Sequence, residues 1–257
     1  MNTSSLFNLS GKTAIITGGG NGIGRASSKM LASFGANVVV SDFNLEAAAN
    51  VAQEINDEGG NAIALKCDVT TDQELVDLVD NTVKTFKQIH ILANNVGGGG
   101  GGKENPFEID VEQFRGVFER NLFSMWRLSQ LVAPYMKKAK YGSIINMSSM
   151  ASVDTSPNAS AYGSSKAAIN HMTRNLAFDY GPEVRVNAIG PGAVKTDALA
   201  TVLTPEIEKK MLQHTPLGRL GEAEDIAGAV LYFASPISKW VSGQVLFVNG
   251  GGSQTLE

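Results

Sequence analysis

A tyrosine and a lysine four residues apart, in the segment YGSSK, could together handle a proton. Tyr162 and Lys166 occupy positions i and i+4 of a predicted helix, so their side chains share one face. A tyrosine with its ordinary pKa near ~10 is a poor base, but a nearby ammonium group favours the phenolate and lowers that pKa. Ser149 stands 13 residues before Tyr162, where its hydroxyl could hold a substrate oxygen. These residue types favour acid–base chemistry at a substrate oxygen, although the Tyr–Lys spacing alone also fits an exposed helix surface.

A glycine-rich turn near the N-terminus, TGGGNGIG from Thr17 to Gly24, has the features of a phosphate-binding loop. A predicted strand precedes it and a predicted helix follows, which is the context required of a dinucleotide-binding turn. Gly18, Gly22 and Gly24 permit the sharp turn, the close approach of a pyrophosphate and the packing of helix on strand. A methyltransferase could use a site of the same kind, so the turn alone does not define the reaction.

Asp42 ends the second predicted strand, 24 residues after Gly18. A carboxylate there can accept hydrogen bonds from both hydroxyls of an adenosine ribose and would repel a 2′-phosphate. Its neighbours Phe43 and Asn44 bring no positive charge, and Arg25 is the competing signal for a phosphate. We therefore expect NAD rather than NADP as the cofactor.

Short apolar runs alternate with segments of helical periodicity along the whole chain. The predicted strands are 13–17, 37–42, 62–69, 89–96, 142–149, 184–192 and 244–251, and the predicted helices are 22–34, 45–58, 72–87, 111–138, 159–180 and 223–234. Strands that are apolar almost throughout are typical of parallel strands covered on both faces. The pattern predicts an α/β, single-domain Rossmann fold over residues 1–257, with a doubly wound seven-stranded parallel sheet and helices on both faces.

Residues 195–225 interrupt this alternation after the sixth predicted strand. The segment contains one helical stretch, TPEIEKKMLQH, and two prolines. It follows the carboxyl end of a strand, where open α/β sheets bind ligands, so we expect a flap that covers substrate. Its apolar residues could cover a flat hydrophobic ligand or could pack the helix onto the core, and they are Val202, Leu203, Ile207, Met211 and Leu212.

Composition excludes several classes of protein. The net charge of -4 and pI of about 5.5 argue against a broad basic surface for nucleic acid or anionic lipid. Cys67 is the only cysteine and the three histidines are scattered, so we expect neither a disulfide nor a metal site. No apolar run reaches the length of a membrane span and the start lacks a signal-peptide pattern, so a cytoplasmic protein is expected.

The ordered motifs resemble the classical short-chain dehydrogenases/reductases over essentially the whole chain. They are TGGGNGIG at 17, Asp42, CDV at 67, NNVG at 94, Asn121, Ser149, Tyr162 with Lys166, and PGAVKTD at 191. Two positions depart from the usual pattern: Val96 replaces the alanine of NNAG, and Asn249 replaces the aspartate of the terminal DGG.

The resemblance implies a role for each matching residue. Tyr162 would exchange the proton, Ser149 would orient the substrate oxygen, and Lys166 would assist the tyrosine and bind the nicotinamide ribose. Asn121 would hold a water of a proton relay, and the family is typically tetrameric. The implied NAD-binding residues are Gly18, Asn21, Gly22, Ile23, Gly24, Asp42, Phe43, Asp68, Val69, Asn95, Gly97, Tyr162, Lys166, Val194 and Thr196.

Within this family, several stretches resemble the bacterial hydroxysteroid dehydrogenases that act on the 7α-hydroxyl of bile acids. They include SSMA at 148, PGAVKTDAL at 191 and TPEIEKKMLQHTP at 204. The resemblance implies oxidation of a bile acid such as cholate, with substrate contacts at Gly99, Ser149, Asp154 and Tyr162. The alternatives are a 3-oxoacyl-carrier-protein reductase, a polyol or sugar dehydrogenase, and a catalytically silent NAD-binding regulator.

Six consecutive glycines, 97–102, follow the fourth predicted strand. The phosphate turn is already assigned to residues 17–24, and the strand–helix alternation resumes after the glycines, which argues against a linker. We expect Gly97 to contact the cofactor and Gly98 to Gly102 to form a side-chain-free lip of the active site, ordered when substrate binds.

Overall fold

The computed structural model describes residues 5–99, 104–200 and 203–252. These residues form seven strands of one parallel sheet. The strands are β1 (Thr13–Thr17), β2 (Asn37–Asp42), β3 (Asn61–Lys66), β4 (Ile91–Asn94), β5 (Gly142–Met147), β6 (Val184–Pro191) and β7 (Val245–Val248). Their order across the sheet is β3-β2-β1-β4-β5-β6-β7, so the winding reverses between β1 and β4. The predicted doubly wound sheet is confirmed, and its ligand crevice should lie at that reversal.

Helices connect the strands and cover both faces of the sheet. They are α1 (Gly22–Ser33), α2 (Leu45–Asp57), α3 (Asp72–Phe86), α4 (Val111–Phe118), α5 (Ser124–Ala139), α6 (Ser160–Tyr180), α7 (Asp197–Ala200), α8 (Pro205–Gln213) and α9 (Ala223–Ala234). Ala14 and Ile16 of β1 pack in one apolar cluster with α1, α2 and α9, whereas Ile15 packs in a second with α3, α5 and α6. All three side chains are fully buried, which explains why the strand is apolar throughout.

The predicted helix 111–138 is helical throughout, but it is not one α-helix. A π-helical turn, Glu119–Phe123, separates α4 from α5. Such a turn inserts an extra residue without disturbing the apolar faces on either side, so periodicity does not reveal it. Its consequence is local: Asn121 is fully buried within the turn and points into the protein.

Several strands end earlier than predicted. β3, β4 and β5 end at residues 66, 94 and 147, and the residues that follow turn into loops at the carboxyl edge of the sheet. Asp68 accepts hydrogen bonds from the backbone and the hydroxyl of Thr70, and the Asn95 side chain donates to the Thr17 carbonyl. The apolar character of these segments does not show where each strand ends and its loop begins.

The inserted segment is anchored at both ends. Val194 and Gly221 form an isolated parallel bridge, so the chain leaves the sheet and returns at one place. Within it, Thr204 caps α8 by accepting from the Ile207 backbone. Met211 is buried, which favours core packing for this residue, and Val202 lies outside the described residues. None of the helices in the described ranges has the length and apolar character needed to cross a bilayer.

Candidate active site

The turn after β1 is shaped by its glycines. Gly18 and Gly22 have positive φ angles of 62° and 50°, a conformation that other residues adopt at a cost. Gly24 lies so close to Gly18 that a β-carbon on it would collide with the Gly18 carbonyl oxygen. Asn95 braces the turn from β4, because its side-chain nitrogen donates to the carbonyls of Thr17 and Gly18. The turn therefore brings the N-terminus of α1 to the crevice, where its N–H groups can bind phosphate.

Asp42 is held at the end of β2 by backbone donors. Its two carboxylate oxygens accept from the N–H groups of Gly20 and Asn44, each at 3.0 Å, and the side chain is buried. Arg25, the competing signal for a 2′-phosphate, instead pairs with Glu54 on α2. The carboxylate therefore faces the cleft without a cation bound to it among the described residues, an arrangement that suits ribose hydroxyls.

A cleft of about 730 Å³ runs along the carboxyl ends of β1, β2 and β4. Its volume is within the range of cofactor sites. Eleven of the predicted cofactor residues line it, namely Gly18, Asn21, Gly22, Ile23, Asp42, Phe43, Asp68, Val69, Asn95, Gly97 and Thr196. Sequence reasoning did not assign Cys67, Thr70 or Arg120 to the cofactor, and the remaining lining residue is Val96, the departure from NNAG noted above. Val194 is buried at the bridge described above, and its predicted contact with the nicotinamide stays a prediction.

Tyr162 and Lys166 lie one turn apart near the start of α6. The Lys166 ammonium nitrogen is 5.6 Å from the centre of the Tyr162 ring and donates to the Met147 carbonyl at 2.7 Å. Ser149 lies just after β5, where its hydroxyl favours the ionised form of the Tyr162 side chain. Its hydroxyl oxygen also accepts from the Ala151 backbone at 3.2 Å. The structure thus brings the three predicted catalytic side chains into one cluster at the end of the cleft.

Burial changes the proton affinity of both partners. The pKa of Tyr162 is raised because its hydroxyl is surrounded by protein, and the Ser149 side chain opposes that rise. Burial also lowers the pKa of Lys166 to about 7, because the ammonium form is costly in an apolar setting. That Lys166 lowers the tyrosine pKa therefore stays a prediction, which depends on the charged form of the lysine.

Asn121 joins the glycine run to the catalytic helix. Its amide oxygen accepts from the Gly98 backbone and its amide nitrogen donates to the Ser165 hydroxyl, both at 2.9 Å. Ser165, which sequence reasoning did not single out, donates in turn to the Tyr162 carbonyl at 2.7 Å. The predicted role of Asn121 in a proton relay is untested, but its side chain already orders two parts of the site.

The described glycines of the run pass directly against the catalytic side chains. A β-carbon on Gly97 would lie 2.8 Å from the Lys166 nitrogen, and one on Gly99 would lie 3.2 Å from the Tyr162 ring. A side chain at either position would therefore force a catalytic group or the backbone to shift, and Gly99 also has a φ angle of 152°, which favours glycine. The predicted ordering of Gly98 to Gly102 cannot be followed further, because residues 100–102 lie outside the described part.

Asp154, the remaining predicted substrate residue, lies apart from this cluster. It lines a neighbouring cavity of about 380 Å³ between residues 151–156 and the start of α6. One of its carboxylate oxygens is buried and has no hydrogen-bond partner among the described residues. A buried polar group without a partner can bind a ligand, and the predicted contact between Asp154 and substrate stays a prediction.

Comparison with known proteins finds relatives that match this chain over nearly its whole length. The Escherichia coli (strain K12) 7α-hydroxysteroid dehydrogenase is 51% identical over 257 residues, covering 100% of both chains. A solved structure of a 7α-hydroxysteroid dehydrogenase, complexed with NADH and 7-oxo glycochenodeoxycholic acid, is 50% identical with a TM-score of 0.96 and full coverage of both chains. A tropinone reductase homolog of Arabidopsis thaliana is 34% identical, covering 98% of this chain and 96% of that protein.

A protein-family model described as Enoyl-(Acyl carrier protein) reductase matches residues 18–253. The match therefore begins in the glycine turn and includes the catalytic cluster and the inserted segment. Taken with the relatives above, it establishes that this chain belongs to the short-chain dehydrogenase/reductase family.

Proposed function

We propose that this protein oxidises the 7α-hydroxyl group of bile acids to a ketone, with NAD as the cofactor. The observation that carries the proposal is the 51% identity to the Escherichia coli 7α-hydroxysteroid dehydrogenase, which extends over the full length of both chains. It includes residues 195–225, the segment expected to cover substrate. The tropinone reductase homolog, which belongs to the same family, is considerably less similar at 34%.

The residues around the cleft fit NAD. The N-terminus of α1 would bind the pyrophosphate through backbone N–H groups, and Asp42 would accept from the adenosine ribose. Phe43 is largely exposed at the rim, beside the part of the cleft lined by Asp68 and Val69. Bound NAD supplies the hydride acceptor that alcohol oxidation requires.

Three side chains would carry the proton chemistry. The Tyr162 oxygen would take the hydroxyl proton as the carbinol carbon–hydrogen bond breaks. Ser149, whose hydroxyl favours the phenolate form of Tyr162, would hold the substrate oxygen and stabilise the charge that develops on it. Lys166 would stabilise the phenolate when charged, and its Met147 contact fixes the position from which it acts.

A panel of steroids tests the substrate. Purified enzyme with NAD should turn over cholate and chenodeoxycholate, which carry a 7α-hydroxyl, and should turn over the 7β epimer and a 12α-hydroxysteroid without a 7-hydroxyl far more slowly. The measurement is NADH formation, with simple alcohols and polyols as controls. Activity only on small polyols, or only with NADPH and acyl thioesters, would overturn the steroid assignment.

The description of the matching family model names a reductase that acts on an acyl carrier protein. Reduction of an acyl group bound to such a carrier is therefore the main alternative. An acidic carrier would favour a basic docking surface, whereas this chain has a net charge of -4. NADPH would favour a cation near the ribose, whereas Asp42 is an acid and Arg25 is paired with Glu54. Both observations favour the NAD-dependent alcohol oxidation.

Replacing Asp42 with alanine should weaken NAD and relax discrimination against NADP. The loss of charge-assisted bonds to the ribose should raise KM for NAD by roughly 10-fold or more, and removal of the charge should ease the approach of a 2′-phosphate. Initial rates with the two cofactors give the ratio of kcat/KM. Asp42→Asn separates charge from side-chain size, and an unchanged NAD to NADP ratio in both variants would show that Asp42 does not read the ribose.

We also propose that the chain acts as one domain and assembles into a homotetramer in a reducing, cytoplasmic setting. Large apolar side chains are exposed on the helices that follow β4 and β5 and near β7, namely Phe123, Trp126, Phe178, Trp240 and Leu246, and such surface could form subunit contacts. Trp240 is 96% and Phe178 is 90% exposed, which is unusual for such residues in a monomer. Sedimentation equilibrium would test the assembly.

A further inference from the structure

The helix that carries the catalytic pair has no cap of its own. The first N–H groups of any α-helix lack partners within the helix, and a side chain at the preceding residue usually supplies one. Before α6 that residue is Ala159, which makes no side-chain cap. Tyr162 is the third residue of this helix, so its backbone lies in the turn most prone to fray.

Glu104 supplies the missing acceptors from a distant part of the chain. Its carboxylate accepts from the Ala161 backbone at 2.7 Å and from the Tyr162 backbone at 3.1 and 3.3 Å. These are the two N–H groups that a capping side chain normally satisfies. The Glu104 backbone also donates to the Asn158 carbonyl at 3.0 Å, which fixes the residue against the loop that leads into α6.

Glu104 is buried, so its contact with α6 is not an exposed surface interaction. The residue is 5% exposed, and no lysine or arginine of the described ranges forms an ion pair with it. A negative side chain at a helix N-terminus is favoured by the helix dipole, and bonds to a charged acceptor are stronger than neutral ones. The N–H groups and the dipole at the start of α6 therefore offset the cost of burying this carboxylate.

We propose that Glu104 is a positioning residue for Tyr162. By capping α6 from a point just beyond the glycine run, it holds the backbone of the proton-transferring tyrosine in place. Lys166 does not depend on this cap, because it lies one turn further on and is held by the Met147 carbonyl. Most of the cleft residues belong to other elements, so cofactor binding should depend little on Glu104.

The inference rests on the proposed function, in that it takes Tyr162 as the proton acceptor. A displacement of about 1 Å at a reacting group can cost on the order of 100-fold in rate. Glu104→Ala should therefore lower kcat for cholate by roughly 10- to 100-fold while the Kd for NAD changes less than about twofold. Glu104→Gln keeps one acceptor oxygen in nearly the same shape, and its kcat should lie between those of Glu104→Ala and the wild type.

Asp110→Ala provides a matched control. Asp110 caps α4 through the Gln113 backbone, so the change removes an acidic cap from another helix away from the reacting groups. It should lower the thermal midpoint, as loss of a cap does, and leave kcat within about twofold of the wild type. Hydrogen exchange provides a readout that needs no substrate: the amides of Ala161 and Tyr162 should exchange faster in Glu104→Ala and unchanged in Asp110→Ala.

These measurements distinguish the proposed function from the proposed role of Glu104. If the wild type oxidises no hydroxysteroid, the proposed function fails, and amide exchange still tests the cap, while kcat is compared on whichever alcohol is turned over. If Glu104→Ala keeps kcat within twofold, or loses NAD affinity as much as kcat, Glu104 does not act by positioning Tyr162. If Glu104→Ala does not fold, Glu104→Gln carries the same comparison, and wild-type kcat in that variant would overturn the proposal.

Discussion

Tyr162→Phe is expected to abolish alcohol oxidation while NAD still binds. The substitution removes only the hydroxyl that would accept the proton, and leaves the ring against Gly99 and the nearby Lys166 side chain in place. A positioned acid–base group contributes on the order of 10²- to 10⁴-fold to rate, so kcat should fall by at least that amount. Kd for NAD, measured by calorimetry, should remain within about threefold, because the residues that line the cleft are unchanged.

Tyr180→Phe is the control, since it makes the same chemical change near the end of the same helix and far from the cluster. It should turn over cholate at close to the wild-type rate.

In the wild type, kcat for oxidation should rise with pH, because a protonated phenol cannot accept the proton and burial raises the Tyr162 pKa above its ordinary value. A Tyr162→Phe enzyme with near wild-type turnover would show that another group takes the proton.

Gly24→Ala should have the largest effect on cofactor binding. A β-carbon at this position would meet the carbonyl group of Gly18, which belongs to the backbone of the turn and cannot rotate away. Relief requires α1 to move away from the turn, so the N–H groups that would bind the pyrophosphate move with it. Kd for NAD should rise by about 100-fold or more, and overpacking should cost about 1–3 kcal/mol of unfolding free energy.

Gly228→Ala is the matched control for this change. Gly228 is in the middle of α9, and a β-carbon there would meet nothing within 4 Å. Alanine is the better helix former, so this variant should gain up to about 1 kcal/mol in stability and bind NAD as the wild type does. Calorimetric titration with NAD and thermal melts compare the two variants, and unaltered NAD affinity in Gly24→Ala would contradict the close packing of α1 on the turn.

Local sequence patterns were sufficient to predict much of the fold and of the site. The strand–turn–helix context of Thr17 to Gly24, the position of Asp42 at a strand end and the spacing of Tyr162 and Lys166 all follow from backbone geometry within one or two elements. Alternation of apolar strands and helices was sufficient for the seven-stranded parallel sheet, because parallel strands require crossover helices. It did not reveal the π-helical turn around Asn121, since an extra residue in a helix leaves the periodicity on both sides intact.

Contacts between distant residues were decided only by the tertiary structure. The bonds from Asn121 to Ser165 and from Tyr162 to Glu104 join residues 44 and 58 positions apart. No short-range rule relates such positions, because their separation in space depends on how α4, α5 and α6 pack on the sheet. The sequence by itself thus determined the fold and the residue types that could bind NAD and transfer a proton. Packing decided which buried polar groups hold Tyr162, because each required a partner once removed from water.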